Sequence, residues 1–145
     1  MATVTSTQVA ANAGPRVVHA GSIPAFGIYN ANGATISAGD VIQMVQVPNG
    51  AVIDEVIVGG LIPITALTFT VGDGGSSARF ISTSTLSATA VIVRMNAGAG
   101  LGYQYSLSSD ATTRYDTIDI TIGTASSVTV TCSIALTVFY HMPPA

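Results

Sequence analysis

Apolar and polar residues alternate with a period of two along most of this chain, and the period of about 3.6 that marks a helix is nearly absent. The clearest run is Val128 to Tyr140. Val128, Val130, Cys132, Ile134, Leu136, Val138 and Tyr140 share one side, with Thr129, Thr131, Ser133 and Thr137 on the other. Successive side chains of a strand point to opposite faces, so this pattern predicts a half-buried strand. Asp116 to Ile122 repeats it, with Ile118, Ile120 and Ile122 inward and Thr117, Asp119 and Thr121 outward. Leu67 to Val71 alternates Leu67, Phe69 and Val71 with Thr68 and Thr70.

Two earlier segments, Asp40 to Val47 and Ala51 to Val58, are apolar on both faces. Pro48-Asn49-Gly50 joins them, and Asn-Gly is a strong hairpin signal because both residues tolerate positive φ. A strand apolar on both sides belongs in a sheet covered twice, the second cover being the N-terminal arm or another subunit. Shorter strands are predicted at Phe26 to Asn30, Arg79 to Ser82, Thr89 to Met95 and Leu101 to Leu107. In the last of these, Leu101, Tyr103, Tyr105 and Leu107 share a face.

Turn signals at roughly 8- to 12-residue spacing then predict an all-β fold, a β-sandwich or jelly roll of about eight strands, ahead of a closed barrel. No internal repeat or linker divides the chain, and 145 residues suit one domain. Residues 1–25 differ in kind, being rich in Ala, Thr and Gly without alternation. They read as disordered or as an extended N-terminal arm that orders on a neighbour, ahead of a β-sandwich domain over residues 26–145. Pro143 and Pro144 stop the final strand.

Composition changes the picture in one respect. Charged residues make up 8% of the chain, against about 25% in an ordinary soluble domain. There is no lysine, and the cations are Arg16, Arg79, Arg94 and Arg114. A monomer keeps itself dispersed with mixed surface charge, so its lack points to a surface covered by copies or partners. The alternative is a monomer coated in Ser and Thr hydroxyls. Four scattered arginines and a net charge of −3 argue against direct nucleic-acid binding. The longest apolar stretch, Val56 to Ile64, is broken by Gly59, Gly60 and Pro63, well short of the roughly 18 residues of a membrane helix. The N-terminus has neither a basic start nor an apolar core of a secretory signal, which leads us to expect assembly in a cytoplasm.

Candidate chemistry is sparse. Gly98-Ala-Gly-Leu-Gly102 fails the dinucleotide fingerprint at Tyr103 and, without lysine, cannot be a phosphate-binding P-loop. Asp54 and Glu55 are strand neighbours that alternation would split between faces, and Asp116 and Asp119 are split likewise. Asp73 in Val71-Gly-Asp-Gly-Gly75 reads as a turn aspartate, because calcium takes about six to eight oxygens and no second acid lies nearby. His19 and His141 have no ligand-spaced partner, and no serine sits in a nucleophile elbow. Cys132, the only cysteine, reads as a small core residue. Tyr103, Tyr105 and Tyr115 read as packing residues, with a sugar-binding surface as the alternative. We therefore assign no catalytic, cofactor-binding or metal residue, expect no cofactor, and do not expect an enzyme.

Three stretches carry a resemblance. They are Ser37-Ala-Gly-Asp-Val-Ile-Gln-Met-Val-Gln-Val-Pro-Asn-Gly50, then Thr68-Phe-Thr-Val-Gly-Asp-Gly-Gly-Ser-Ser-Ala-Arg-Phe-Ile81, then Gly102-Tyr-Gln-Tyr105 with Asp116-Thr-Ile-Asp-Ile-Thr-Ile-Gly123. In order and spacing, over about residues 37–140, they resemble small proteins encoded beside the major capsid protein of tailed double-stranded DNA bacteriophages. Ala78 before Arg79 departs from the more polar loop of that pattern. The resemblance implies a capsid decoration (cement) protein of the virion surface, with a β-sandwich or jelly-roll fold and no catalytic residues. The implied partners are itself, as homodimer or homotrimer, and the major capsid protein, with no nucleic acid and no membrane. A tail, fibre or host-surface carbohydrate-binding module is the alternative, favoured if Tyr103 and Tyr105 line an exposed groove. A cupin-like enzyme is weakest, since its metal site needs clustered histidines.

Overall fold

A computed structural model describes residues 3–5, 21–61, 67–87, 91–96, 100–105, 115–124 and 128–143, and the regular elements among them are all strands. These are β1 (Thr3–Thr5), β2 (Ile23–Asn30), β3 (Ala34–Ile36), β4 (Val41–Pro48), β5 (Val52–Leu61) and β6 (Leu67–Asp73), followed by β7 (Ser76–Leu86), β8 (Val91–Arg94), β9 (Tyr115–Ile122), β10 (Val128–Val130) and β11 (Ser133–His141). They form a four-stranded sheet β2-β11-β5-β8, a five-stranded sheet β1-β4-β9-β6-β7 and a short β3-β10 ribbon.

Leaving aside β1 and the ribbon, eight strands remain, four per sheet, and their pairing is that of a jelly roll. The first strand pairs with the last, and the last with the third, while the second pairs with the seventh and the seventh with the fourth. Each sheet keeps edge strands, so the barrel is not closed. β1 adds in parallel to the edge of β4, pairing Thr3 with Val41 and Thr5 with Gln43.

The core lies between the sheets, where alternation aims it. Ile134, Leu136, Val138 and Tyr140 of β11 are buried there, facing Leu67, Phe69 and Val71 of β6 and Ile118, Ile120 and Ile122 of β9. Fully burying such a side chain stabilises by about 1.5–3 kcal/mol, so this layer dominates stability.

Several sequence expectations are corrected. The run from Val128 to Tyr140 breaks at Thr131 and Cys132, where β10 leaves β11 to pair with β3, and Cys132, Ile134, Leu136, Val138 and Tyr140 are buried as alternation expects. Ala31 to Gly33 stand opposite those two residues, one extra residue that kinks the ribbon. Asn49-Gly50 does form a turn, with Gly50 at φ +84° and the Ala51 amide donating to the Pro48 carbonyl. It is not a hairpin turn. β4 and β5 enter different sheets, because each needs its apolar side on the space between them.

The double apolarity of β4 is a bulge. Register slips between Gln43 and Val45, so Ile42, Met44, Val45 and Val47 are all buried while Gln43 and Gln46 are only half-buried. Of the strand expected over Leu101 to Leu107, residues 101–105 hold only an isolated bridge between Gln104 and Val52, since Gly100 and Gly102 take positive φ and turn the chain, and Ser106 and Leu107 lie outside the described residues. β2 starts at Ile23, three residues ahead of the expected strand at Phe26. His19, Arg16 and Arg114 lie outside the described residues.

Candidate functional site

At one end of the sandwich a polar hub is built from the β6–β7 turn. Asp73 accepts hydrogen bonds from the Gly75 amide (3.0 Å) and the Ser76 amide (2.9 Å), as expected of a turn aspartate. Arg79 Nε donates to Asp73 Oδ2 at 2.6 Å and its Nη2 to Oδ1 at 3.2 Å, a bidentate fork. The buried Tyr105 hydroxyl donates to Oδ2 from 3.2 Å. Arg79 also lies over Tyr103, its guanidinium carbon 3.9 Å from the ring centre. Tyr103 makes edge contacts with Tyr105 and Phe80.

Backbone pairing delivers the tyrosines. The Ile53 amide bonds to the Tyr103 carbonyl and the Tyr105 amide to the Ala51 carbonyl, which fixes residues 103–105 alongside the start of β5. Burial alone would raise the Asp73 carboxyl; Arg79 and the two turn amides outweigh it and hold it below the usual range. Burial and the Asp73 charge push the Tyr105 phenol up, so it stays a neutral donor. Asp116, near this end, is raised mainly by burial. Asp73, Arg79 and Tyr105 are satisfied by one another and by the turn amides, and the hub is a structural clasp.

Asp119 behaves differently. Alternation places it outward, yet it is 8% exposed, between Gln43 of β4 and side-chain-free Gly72 of β6. Burial drives its pKa up to about 7, against a lowering hydrogen bond from the Thr117 side chain. Its Oδ1, like Gln46 Oε1 and Thr70 Oγ1, has no hydrogen-bond partner among the described residues. Among those residues, no three His, Cys, Asp or Glu side chains gather as a metal ligand set.

Asp54 and Glu55 are a further correction. Register slips between Phe139 and Tyr140, making Asp54 an extra residue in β5, and both Ile53 and Val56 are buried. The two carboxylates therefore share the outer side. They do not act as a pair, because Asp54 binds His141 Nδ1 (2.8 Å) and Ser22 Oγ (3.0 Å) while Glu55 pairs with Arg94. Arg79 and Arg94, the described arginines, are thus each committed to a carboxylate.

The outer face of β2-β11-β5-β8 is the candidate interaction site. Register places Ile28, Ala135, Gly59 and Ile92 in one row across the four strands. Phe26, Thr137, Ile57 and Arg94 form the next row, and Pro24, Phe139 and Glu55 the one after. Phe26 is 64% exposed and Ile92 73%. The opposite sheet presents Gln43, Gln46, Thr117, Thr121 and Thr70 on its own outer side, so apolar exposure is concentrated on one of the two sheets. Sequence reasoning found the double apolarity of β5 but could not join it to Phe26 or Ile92, which only register brings beside it.

Tyr105 is buried and Tyr103 is half-buried beneath Arg79, both within the hub, while Tyr115 is exposed on β9. Cys132 is buried and unpaired, its thiol pushed up by burial. Among the described residues no helix is long and apolar enough to cross a membrane.

No protein-family model and no curated protein matches the chain. Solved structures do. A chain in the capsid of Ralstonia phage GP4 superposes with a TM-score of 0.77 at 18% identity, covering 99% of this chain and 99% of that one. A chain in the capsid asymmetric unit of cyanophage Pam1 gives 0.69 at 21% identity, over 90% of this chain and 96% of that one. The all-β fold is shared with chains of phage capsids over 90% or more of this chain.

Proposed function

We propose that this chain is a structural protein of a phage head, a decoration (cement) protein that binds the shell, stabilises it, and performs no chemistry. The observation that carries the reading is the full-length superposition on a capsid chain of Ralstonia phage GP4. Two features support it. The polar residues that resemble the phage proteins serve as turns and clasps: Asp40 accepts from the Ser37 amide, and Asp73 and Arg79 pair with each other. The surface is poor in charge and carries an apolar sheet face, as a protein that buries both a footprint and a self-interface requires.

In this reading the major capsid protein and further copies of the chain are its partners, and the virion surface is its location. The residues ahead of β2, which takes Ile23 to Ala25 into the sandwich, form an arm that adds to the attachment, so that many modest contacts sum by multivalency. The test is to mix the purified protein with stripped particles and image them by electron microscopy. Density at regular lattice positions is expected, with later rupture on heating. A bare shell with density only at the tail tip would transfer the assignment to host binding.

A further inference from the structure

The start of β7 does not run flat beside β6. Val71 pairs with Ile81 and Asp73 with Ser76, so β6 advances two residues while β7 advances five. The surplus carries residues 76–78 over Gly72. A Cβ built on Gly72 would lie 1.9 Å from the Ser76 carbonyl oxygen and 2.5 and 2.8 Å from the backbone of Ser77 and Ala78, so that backbone fills the place of a side chain. Gly72 pairs with Asp119 of β9, and cross-strand partners carry their side chains on the same face. Residues 76–78 therefore lie beside the Asp119 carboxyl, on the side of the sheet away from Val71, Ile118 and Ile120. The cover is thin. Asp119 beneath it is buried, whereas Ser77 within it is exposed.

Such a place suits one protonation state. A neutral carboxyl is cheap to bury, while a carboxylate needs hydrogen-bond donors on both oxygens. Asp119 Oδ1 has none among the described residues. Nor do its described neighbours offer a free positive charge. Gln43 and Gln46 on β4 and Thr70 on β6 are uncharged, and Arg79 on β7 is bound to Asp73. Asp116 on β9 and Asp73 on β6 add repulsion to the cost of burial, and together these carry the Asp119 pKa up to about 7.

We infer that residues 76–78 are a proton-operated latch, closed over Gly72 while Asp119 keeps its proton and lifted into water when Asp119 ionises. The exposed Gly74 and Gly75 hinge it at one end. At the other, Phe80 is buried in the core and packs with the Arg79 backbone against Gly100, so the movement stops there. Opening draws the Gly75 and Ser76 amides away from Asp73. Once hydrated, Asp119 titrates as an ordinary aspartate near 3.9. The opening equilibrium then rises by up to about tenfold per pH unit from about pH 4 to about pH 7, and levels off above. The latch is shut in mild acid and loose at neutral pH, whether or not the chain coats a shell.

Hydrogen exchange of the full chain, corrected for the intrinsic pH dependence of amide exchange, tests it at Gly75 and Ser76 with β11 as the reference. The two amides are expected to exchange faster than those of β11, by a local route. Their opening constant should rise about tenfold per unit between about pH 5 and about pH 6.5, and Asp119→Asn should flatten that rise. Gly72→Ala puts a methyl group where the Ser76 carbonyl lies and is expected to hold the latch open. Carboxyl-carbon magnetic resonance should then move the Asp119 midpoint from about 7 in the wild type to near 4 in that variant. Exchange of Gly75 and Ser76 only at the β11 rate overturns the inference, as does a wild-type Asp119 midpoint near 4. So does a pH slope that survives in Asp119→Asn, or an Asp119 midpoint that Gly72→Ala leaves in place. The wild-type exchange and titration decide the matter even where a variant does not fold.

Discussion

Arg79 Nε lies 2.6 Å from Asp73 Oδ2 across the β6–β7 turn, with a carboxylate almost wholly buried and a guanidinium that still reaches solvent. Removing one partner of such a pair strands the other in a poorly solvated place, at a cost of about 3 kcal/mol. Asp73→Asn and Arg79→Met are each expected to lose roughly that much unfolding free energy, and the double variant less than the sum. Chemical denaturation of the four proteins measures this. Strictly additive losses would mean that the two side chains act independently.

Stability is expected to respond to pH in two opposed windows. Asp119, pushed up to about 7, keeps in the folded state a proton that the unfolded chain releases near its ordinary pKa. Folding therefore weakens as pH rises from about 4 to about 7. Asp73, held low, stabilises above the ordinary aspartate pKa of about 3.9, and that contribution is lost as pH falls through its folded value. The melting temperature should peak in the mildly acid range. Asp119→Asn should raise it near pH 8 and change it little near pH 5, as calorimetry can show; an unaltered pH profile would remove Asp119 as the cause.

Ile42 and Ile57 separate core from surface. Ile42 is fully buried opposite Ile120, and Ile57 is half-buried on the outer face between Thr137 and Arg94. Ile42→Asp buries an unpaired charge and is expected to prevent folding. Ile57→Asp should keep the strand spectrum while weakening self-association. Loss of both spectra alike would show that the β5 outer face supports the fold itself.

Cys132 is expected to react slowly with thiol reagents under native conditions, because only thiolate reacts and burial both hides the sulfur and raises its pKa. Denaturant should restore the rate of a free thiol. Rapid labelling of the native protein would place Cys132 on the wrong side of the ribbon.

Alternation was enough to read the strands and the sandwich because the inward residues of β6, β9 and β11 follow one parity without interruption. Bulges were illegible, since Met44 and Asp54 become extra residues only against the register of a partner strand. The same limit hid the fate of Asn49-Gly50: a local turn signal cannot say which sheet the next strand joins. Asp119 was assigned to solvent by parity, and its burial depends on Gly72 lying beside it from a distant part of the chain. The Asp73–Arg79 clasp left a trace, both residues falling within one resembling stretch, whereas the part of Tyr105 required knowing that residues 103–105 run beside β5.

The pairing of β2 with β11, Ile23 against Tyr140, joins nearly the two ends of the described chain. Contacts of such long sequence separation pay their loop-closure entropy before any reward, so folding is slow and comes late in synthesis. β11 is also the central seam of the face that carries Ile28 and Ile92, holding β2 on one side and β5 on the other. Until that strand docks, β2 and β5 have no common frame. A nascent or truncated chain therefore presents no finished face, and the outer surface of that sheet is withheld until the topology closes.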